Sequence, residues 1–147
     1  MQLTHYTDYG LRVLIFLALQ EDGQRVTITD IAEHFDIPRN HLVKVVHRLG
    51  ILNYIHTTRG KNGGIRLGQA ADQIRIGDVV RQMEAKLDIV NCESPSPCPI
   101  KTQCRLKFIL QQAGDAFLNI LDQYTIADLQ ESPNQLKALL HWQPVQP

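Results

Sequence analysis

Apolar side chains recur at helical spacing over residues 8–20, where Leu11, Leu14, Ile15, Ala18 and Leu19 make one stripe and Gly23 is expected to end the segment. A second, short helix is expected from about Asp30 to Phe35, with Thr29 as its N-cap. Asp36-Ile37-Pro38 breaks it, and a third helix is expected from Arg39 to Leu49. Its apolar stripe, Leu42, Val45, Val46 and Leu49, leaves Arg39, Asn40, Lys44, His47 and Arg48 on the opposite face. Two short helices joined by a tight turn, the second polar and basic outside, spell a helix-turn-helix.

The period then changes. Asn53 to Thr57 reads as a strand, RGKNGG as a tight turn and Ile65 to Leu67 as the return strand, which together predict a β-hairpin wing. Gly60, Gly63 and Gly64 allow positive φ in that turn and a close approach of the backbone to DNA. The turn lacks the G-x-x-x-x-G-K-[ST] order of a nucleotide-phosphate loop. Helical spacing returns over Arg75 to Glu84, through Ile76, Val79, Val80 and Met83, and again from Cys104 to Tyr124. That last segment would span about 30 Å, and its apolar stripe exceeds what a small winged domain can cover. The same helix of a second copy is the expected partner, giving a two-fold homodimer.

The predicted fold is therefore mainly α, a winged helix-turn-helix domain with a small β-hairpin wing and a long C-terminal dimerisation helix. Residues 1–84 are expected to be the DNA-binding domain, 85–104 a cysteine-containing loop, 105–130 the dimerisation helix with a short following helix, and 131–147 a partly disordered tail.

Charge sharpens this division. Fifteen basic and 15 acidic side chains cancel over the 147 residues, so the net field names no partner. Yet no acid occurs from Ile37 to Ala71, where Arg39, Lys44, Arg48, Arg59, Lys61 and Arg66 fall. An acid-free basic stretch over a helix-turn-helix and wing points to double-stranded DNA. Arg39, Asn40 and Lys44 are candidates for base contacts, and Arg59, Lys61 and Asn62 for wing contacts. Thr29, His41, His47 and Arg48 complete the expected DNA-binding set, the histidines (with His56) as phosphate donors. The apolar run Val13 to Leu19 is too short to cross a bilayer and lacks a signal-peptide cleavage pattern, so a cytoplasmic protein with no membrane partner is expected.

Cys92, Cys98 and Cys104 are the only cysteines, spaced C-x5-C-x5-C in the Pro-broken stretch NCESPSPCPIKTQC. An odd, clustered set in a reducing compartment favours metal or redox sensing over a structural disulfide. Three thiolates leave four-fold coordination one ligand short. Asp8, Glu84, Asp88, Glu93 and His5 are all open as the fourth, although spacing alone makes Asp8 a helix N-terminal acid that stabilises the dipole. No C-x-x-C is present, which places a thiol oxidoreductase far behind. No catalytic residue is expected, and the chain does not read as an enzyme.

LTHYTDYGLRVL, RNHLVKVVHRLG, RGKNGGIRLG and IRIGDVVRQME, together with the cysteine trio, resemble the NsrR-type nitric-oxide-responsive repressors. These belong to a winged-helix family of Fe–S regulators that includes the IscR type, and the resemblance runs from residue 2 to about residue 130. It implies a homodimeric repressor on a palindromic operator, with an iron–sulfur cluster on Cys92, Cys98 and Cys104 and 4Fe–4S favoured over 2Fe–2S. In IscR-type relatives a histidine three residues after the last cysteine completes the site; here that position is Lys107, which has no lone pair while protonated. In NsrR-type relatives the ligand is an aspartate of the N-terminal helix, reaching from the other subunit, and the matching position is Asp8. The resemblance further implies that nitric oxide is the signal, that cluster nitrosylation releases operator DNA and that nitric-oxide detoxification genes are derepressed. The alternatives are a winged-helix repressor with a structural zinc site, or an IscR-like regulator of redox or Fe–S status.

Overall fold

The computed structural model describes residues 2–22 and 24–141. Among them, six α-helices and one antiparallel hairpin run in the order α1 (His5–Ala18), α2 (Ile28–Phe35), α3 (Arg39–Ile51), β1 (Ile55–Thr58), β2 (Gly64–Leu67), α4 (Ile76–Met83), α5 (Arg105–Leu121) and α6 (Pro133–Leu139). No helix among the described residues is long and apolar enough to cross a membrane.

Helix α1 begins earlier than periodicity indicated. Thr4 is its N-cap, accepting a hydrogen bond from Thr7 N–H, and Leu19 closes it; Gly23, the expected terminator, lies outside the described residues. Helix α2 starts at Ile28 because Thr27, not Thr29, is the N-cap. Thr27 Oγ1 accepts from Asp30 N–H at 3.2 Å, while Thr27 N–H donates to Asp30 Oδ2 at 2.7 Å. This reciprocal pair satisfies two helix-end donors, and a cap of this kind stabilises by about 1 kcal/mol. Thr29 is exposed in the first turn. Asp36, at φ 52°, ends α2, and Pro38 opens α3.

The apolar stripe of α3 is where sequence placed it. Leu42, Val45, Val46 and Leu49 are buried with Val13, Leu14, Phe16 and Leu17 of α1, Ile31 of α2 and Val79, Val80 and Met83 of α4. Each such side chain contributes about 1.5–3 kcal/mol on leaving water. Strands β1 and β2 pair Ile55 with Leu67 through Thr58 with Gly64, and Val26 adds a bridge to Ile65.

Of the three wing glycines that allow positive φ, Gly60 takes it, at 100°. Gly63 serves space instead, since a Cβ there would overlap the Thr58 carbonyl. Helix α5 contrasts with the head: none of its 17 residues is buried, and Leu106, Phe108, Ile109 and Ile120 are 49–61% exposed. After it the chain turns back, burying Ile126 completely beside Ile74. The segment expected to be a partly disordered tail contains α6, with Leu140 packed on the core; residues 142–147 lie outside the described residues.

Candidate nucleic-acid interface and metal centre

The outward face of α3 carries Arg39, Asn40, His41, Lys44 and His47, all exposed. Val43, 41% exposed among them, is an apolar member of that face which charge-based reading passes over. Thymine methyl groups are what such a side chain meets in a major groove. Arg48 behaves differently. It is half-buried, and its Nη2 donates to the Gln82 carbonyl at 3.1 Å, tying α3 to the end of α4. Helical spacing put it outside, but α4 crosses there.

Arg59, Lys61 and Asn62 are exposed in the turn joining β1 to β2. Arg25, which sequence reading missed, buttresses that turn: its Nη1 donates to the Lys61 carbonyl at 2.7 Å. A basic side chain immediately before the bridging residue Val26 was the available signal. The Lys61 backbone is thus held while its side chain stays exposed. Lys61→Ala is expected to weaken binding to all DNA sequences alike and lower the salt slope by about one unit. Affinities measured across a salt series on specific and random duplexes check this; altered sequence preference at unchanged slope would refute it.

The cysteine loop begins where α4 ends. Asn91 Oδ1 accepts from Glu93 and Ser94 N–H groups at 3.0 and 3.2 Å, and Lys101 Nζ pairs with Glu93 at 2.9 Å. Cys98 N–H donates to the Cys92 carbonyl at 2.9 Å, which folds the first cysteine interval back on itself. Cys104 is the N-cap of α5, its Sγ accepting from Lys107 N–H at 3.4 Å. All three thiols are free and half-buried. As a donor set they fit an iron–sulfur cluster: soft, reduced, confined to one loop and one ligand short.

The structure gathers neither the three thiols nor a fourth ligand into one site within the protomer. Among the described residues no three His, Cys, Asp or Glu side chains form a metal-holding group. Asp8 sits in the first turn of α1, where its carboxylate pairs with Arg12 at 2.8 Å, and the Arg12 guanidinium lies 5.9 Å from the Phe35 ring centre. Two rivals are engaged elsewhere. Glu84 Oε1 accepts from Thr4 N–H and Oγ1 at 2.7 and 2.9 Å, which pins the start of α1 to the end of α4. Burial pushes the Glu84 carboxyl up, but hydrogen bonds from Thr7 and Thr4 outweigh it and hold the group below the usual carboxylate range. Glu93 is taken by Lys101. His5 stacks on Tyr9, ring centres 5.8 Å apart.

Asp8 is also flanked by contacts to the reading helix. Tyr6 Oη donates to the Lys44 carbonyl at 3.3 Å, and the Tyr9 ring lies 6.2 Å from that of His41. The turn of α1 that carries the candidate ligand therefore rests directly on α3.

The chain matches Rrf2, described as an iron-dependent transcriptional regulator, over residues 3–132. It is 46% identical over 142 residues to the HTH-type transcriptional regulator NsrR of Bacillus licheniformis, covering 95% of this chain and 99% of that protein. Among solved structures, CymR, the global cysteine regulator of B. subtilis, aligns with a TM-score of 0.70 at 26% identity over 88% of this chain and 95% of that one. IscR of T. potens aligns with a TM-score of 0.72 over 89% of this chain and 87% of that one, and at 21% identity it bears on the fold alone. Reading head, cysteine loop and α5 are all spanned by the family match, and the chain belongs to the Rrf2 family of transcriptional regulators.

Proposed function

We propose that this protein is a homodimeric transcriptional repressor of the NsrR kind, which reads a palindromic operator, holds an iron–sulfur cluster and responds to nitric oxide. The observation that carries the reading is the 46% identity to an NsrR across reading head, cysteine loop and α5 together. Residues 1–84 would read DNA, 85–104 hold the metal and 105–130 pair the two copies. The exposed Leu106, Phe108, Ile109 and Ile120 support that pairing, because an unpartnered apolar helix face favours a second copy. The protein would work in the cytoplasm, where thiols stay reduced.

Cys92, Cys98 and Cys104 would hold a 4Fe–4S cluster, with Asp8 of the partner subunit as the fourth ligand. When bound, the cluster supplies iron that reacts with nitric oxide. A carboxylate is the most replaceable of those four ligands. Off the metal, Asp8 has a partner within its own helix in Arg12. The choice between the two positions bears on DNA because Tyr6 and Tyr9, on either side of Asp8 in sequence, contact Lys44 and His41 of α3. Shifting a dimer from bound to released needs a difference of a few kcal/mol between the two states; about 5.5 kcal/mol takes a two-state equilibrium from 1:99 to 99:1.

Anaerobically purified protein tests the reading. A visible absorption band with matching iron and sulfide counts is expected, and a nitric-oxide donor should abolish the operator shift in an electrophoretic assay. A colourless, zinc-loaded protein, or operator binding undiminished by nitric oxide, would overturn it.

A further inference from the structure

The joint between α4 and α5 contains a charged fork that neither the metal nor the DNA face uses. Arg81 of α4 donates through Nη1 and Nη2 to Asp122 Oδ1 and Oδ2, at 2.5 and 2.7 Å. Asp122 is the C-cap of α5. Asp78 stands 3.7 Å from the same guanidinium. Around the fork the chain leaving α5 is stitched to the chain entering α4: Ile76 N–H donates to the Tyr124 carbonyl at 3.0 Å, and Ile126 N–H to the Ile74 carbonyl at 2.9 Å. Gly77, in the first turn of α4, is buried, and a Cβ built on it would overlap Asp122 Oδ1. The carboxylate thus occupies the space that a side chain at residue 77 would fill.

We infer that Arg81, Asp122 and Gly77 form a positioning clamp that sets the angle between the reading head and α5, and through it the half-site spacing the dimer accepts. The inference rests on the proposed reading of the protein as a dimer paired through α5 on a two-fold operator. A parallel pair of hydrogen bonds fixes orientation as well as distance, which one bond does not. A two-pronged pair 35% and 30% exposed adds some stability, but stability alone does not call for the missing side chain at residue 77. Orientation accounts for both the two-pronged geometry and the missing side chain at residue 77. The recognition helices of such a dimer must sit about 34 Å apart, one turn of DNA, so rotation at this joint displaces both from their half-sites.

The test uses full-length, cluster-loaded protein and an operator selected by the wild type from random duplexes. Affinity is then measured on that operator and on versions with one or two base pairs inserted or removed between half-sites. Wild type is expected to bind the altered spacings at least about tenfold more weakly. Arg81→Ala is expected to keep the visible spectrum and the salt slope, lose about fivefold on the native spacing and discriminate less among spacings. Gly77→Ala should do the same with both charges intact, although alanine favours helix. If Arg81→Ala and Gly77→Ala both show the wild-type spacing profile, the clamp is refuted while the dimeric reading stands. If wild type itself ignores spacing, the dimeric reading falls and takes the clamp with it.

Discussion

Cys98→Ala protein purified without oxygen is expected to be colourless, with iron and sulfide at background, and still folded. Cys98 is the cleanest of the three thiols to remove. Its structural tie is made by its backbone N–H to the Cys92 carbonyl, which alanine keeps. Cys104 is a poorer choice, because its Sγ also caps α5 and its loss would disturb the helix start. Taking one thiolate from a set already short of four should exceed the loss of about 10–100-fold in metal affinity seen on removing an outer-shell partner. The fold should survive, since residue 98 is only half-buried and lies outside the core. Spectrum, metal counts and far-ultraviolet circular dichroism of the same sample decide the matter. Full iron and sulfide with an unchanged visible band would remove Cys98 from the ligand set.

Ile126→Ala is expected to destabilise the protein by about 2–5 kcal/mol, the cost of emptying a closed core site. Ile126 is 0% exposed, and the hydrogen bond of its N–H to Ile74 keeps the backbone in place, so the surroundings cannot readily collapse onto the cavity. Leu139→Ala is the contrast. Leu139 is 77% exposed, and its replacement should shift stability by less than about 0.5 kcal/mol. Urea unfolding of both variants at one protomer concentration provides the comparison, because a dimer's stability depends on concentration. A change below about 1 kcal/mol for Ile126→Ala would mean that the return segment is not part of the core.

The helix-turn-helix was legible because its evidence is periodic and local. Leu42, Val45, Val46 and Leu49 fall on one face at fixed spacing, and all four are buried. Helix starts were less legible, because a cap is one residue rather than a pattern. Thr27 and Thr29 both precede an apolar run, and the choice between them turned on which hydroxyl reaches the Asp30 N–H. In the wing, the composition RGKNGG announced a turn, yet glycine serves either torsional freedom or space. Only Gly60 uses the former, and Gly63 is set by the Thr58 carbonyl. Arg48 shows the limit of a helical wheel, which ranks directions on one helix and has no knowledge of α4 lying across it.

The candidate site divides the same way. Three thiols in one short loop are a property of covalent order, so the sequence alone established their clustering and the lysine three residues after the last of them. It also determined the basic, acid-free reading segment and the apolar stripe of α5. Tertiary structure decided which groups are already spent. Glu84 is committed to the start of α1, Glu93 to Lys101 and Arg48 to Gln82, while Asp8 carries a salt bridge to Arg12. It also decided that the chain after α5 returns to bury Ile126 and meet Arg81 through Asp122. The reason is range: periodicity and spacing report contacts a few residues apart, whereas Arg81 and Asp122, 41 residues apart, meet only once the core has brought their helices together.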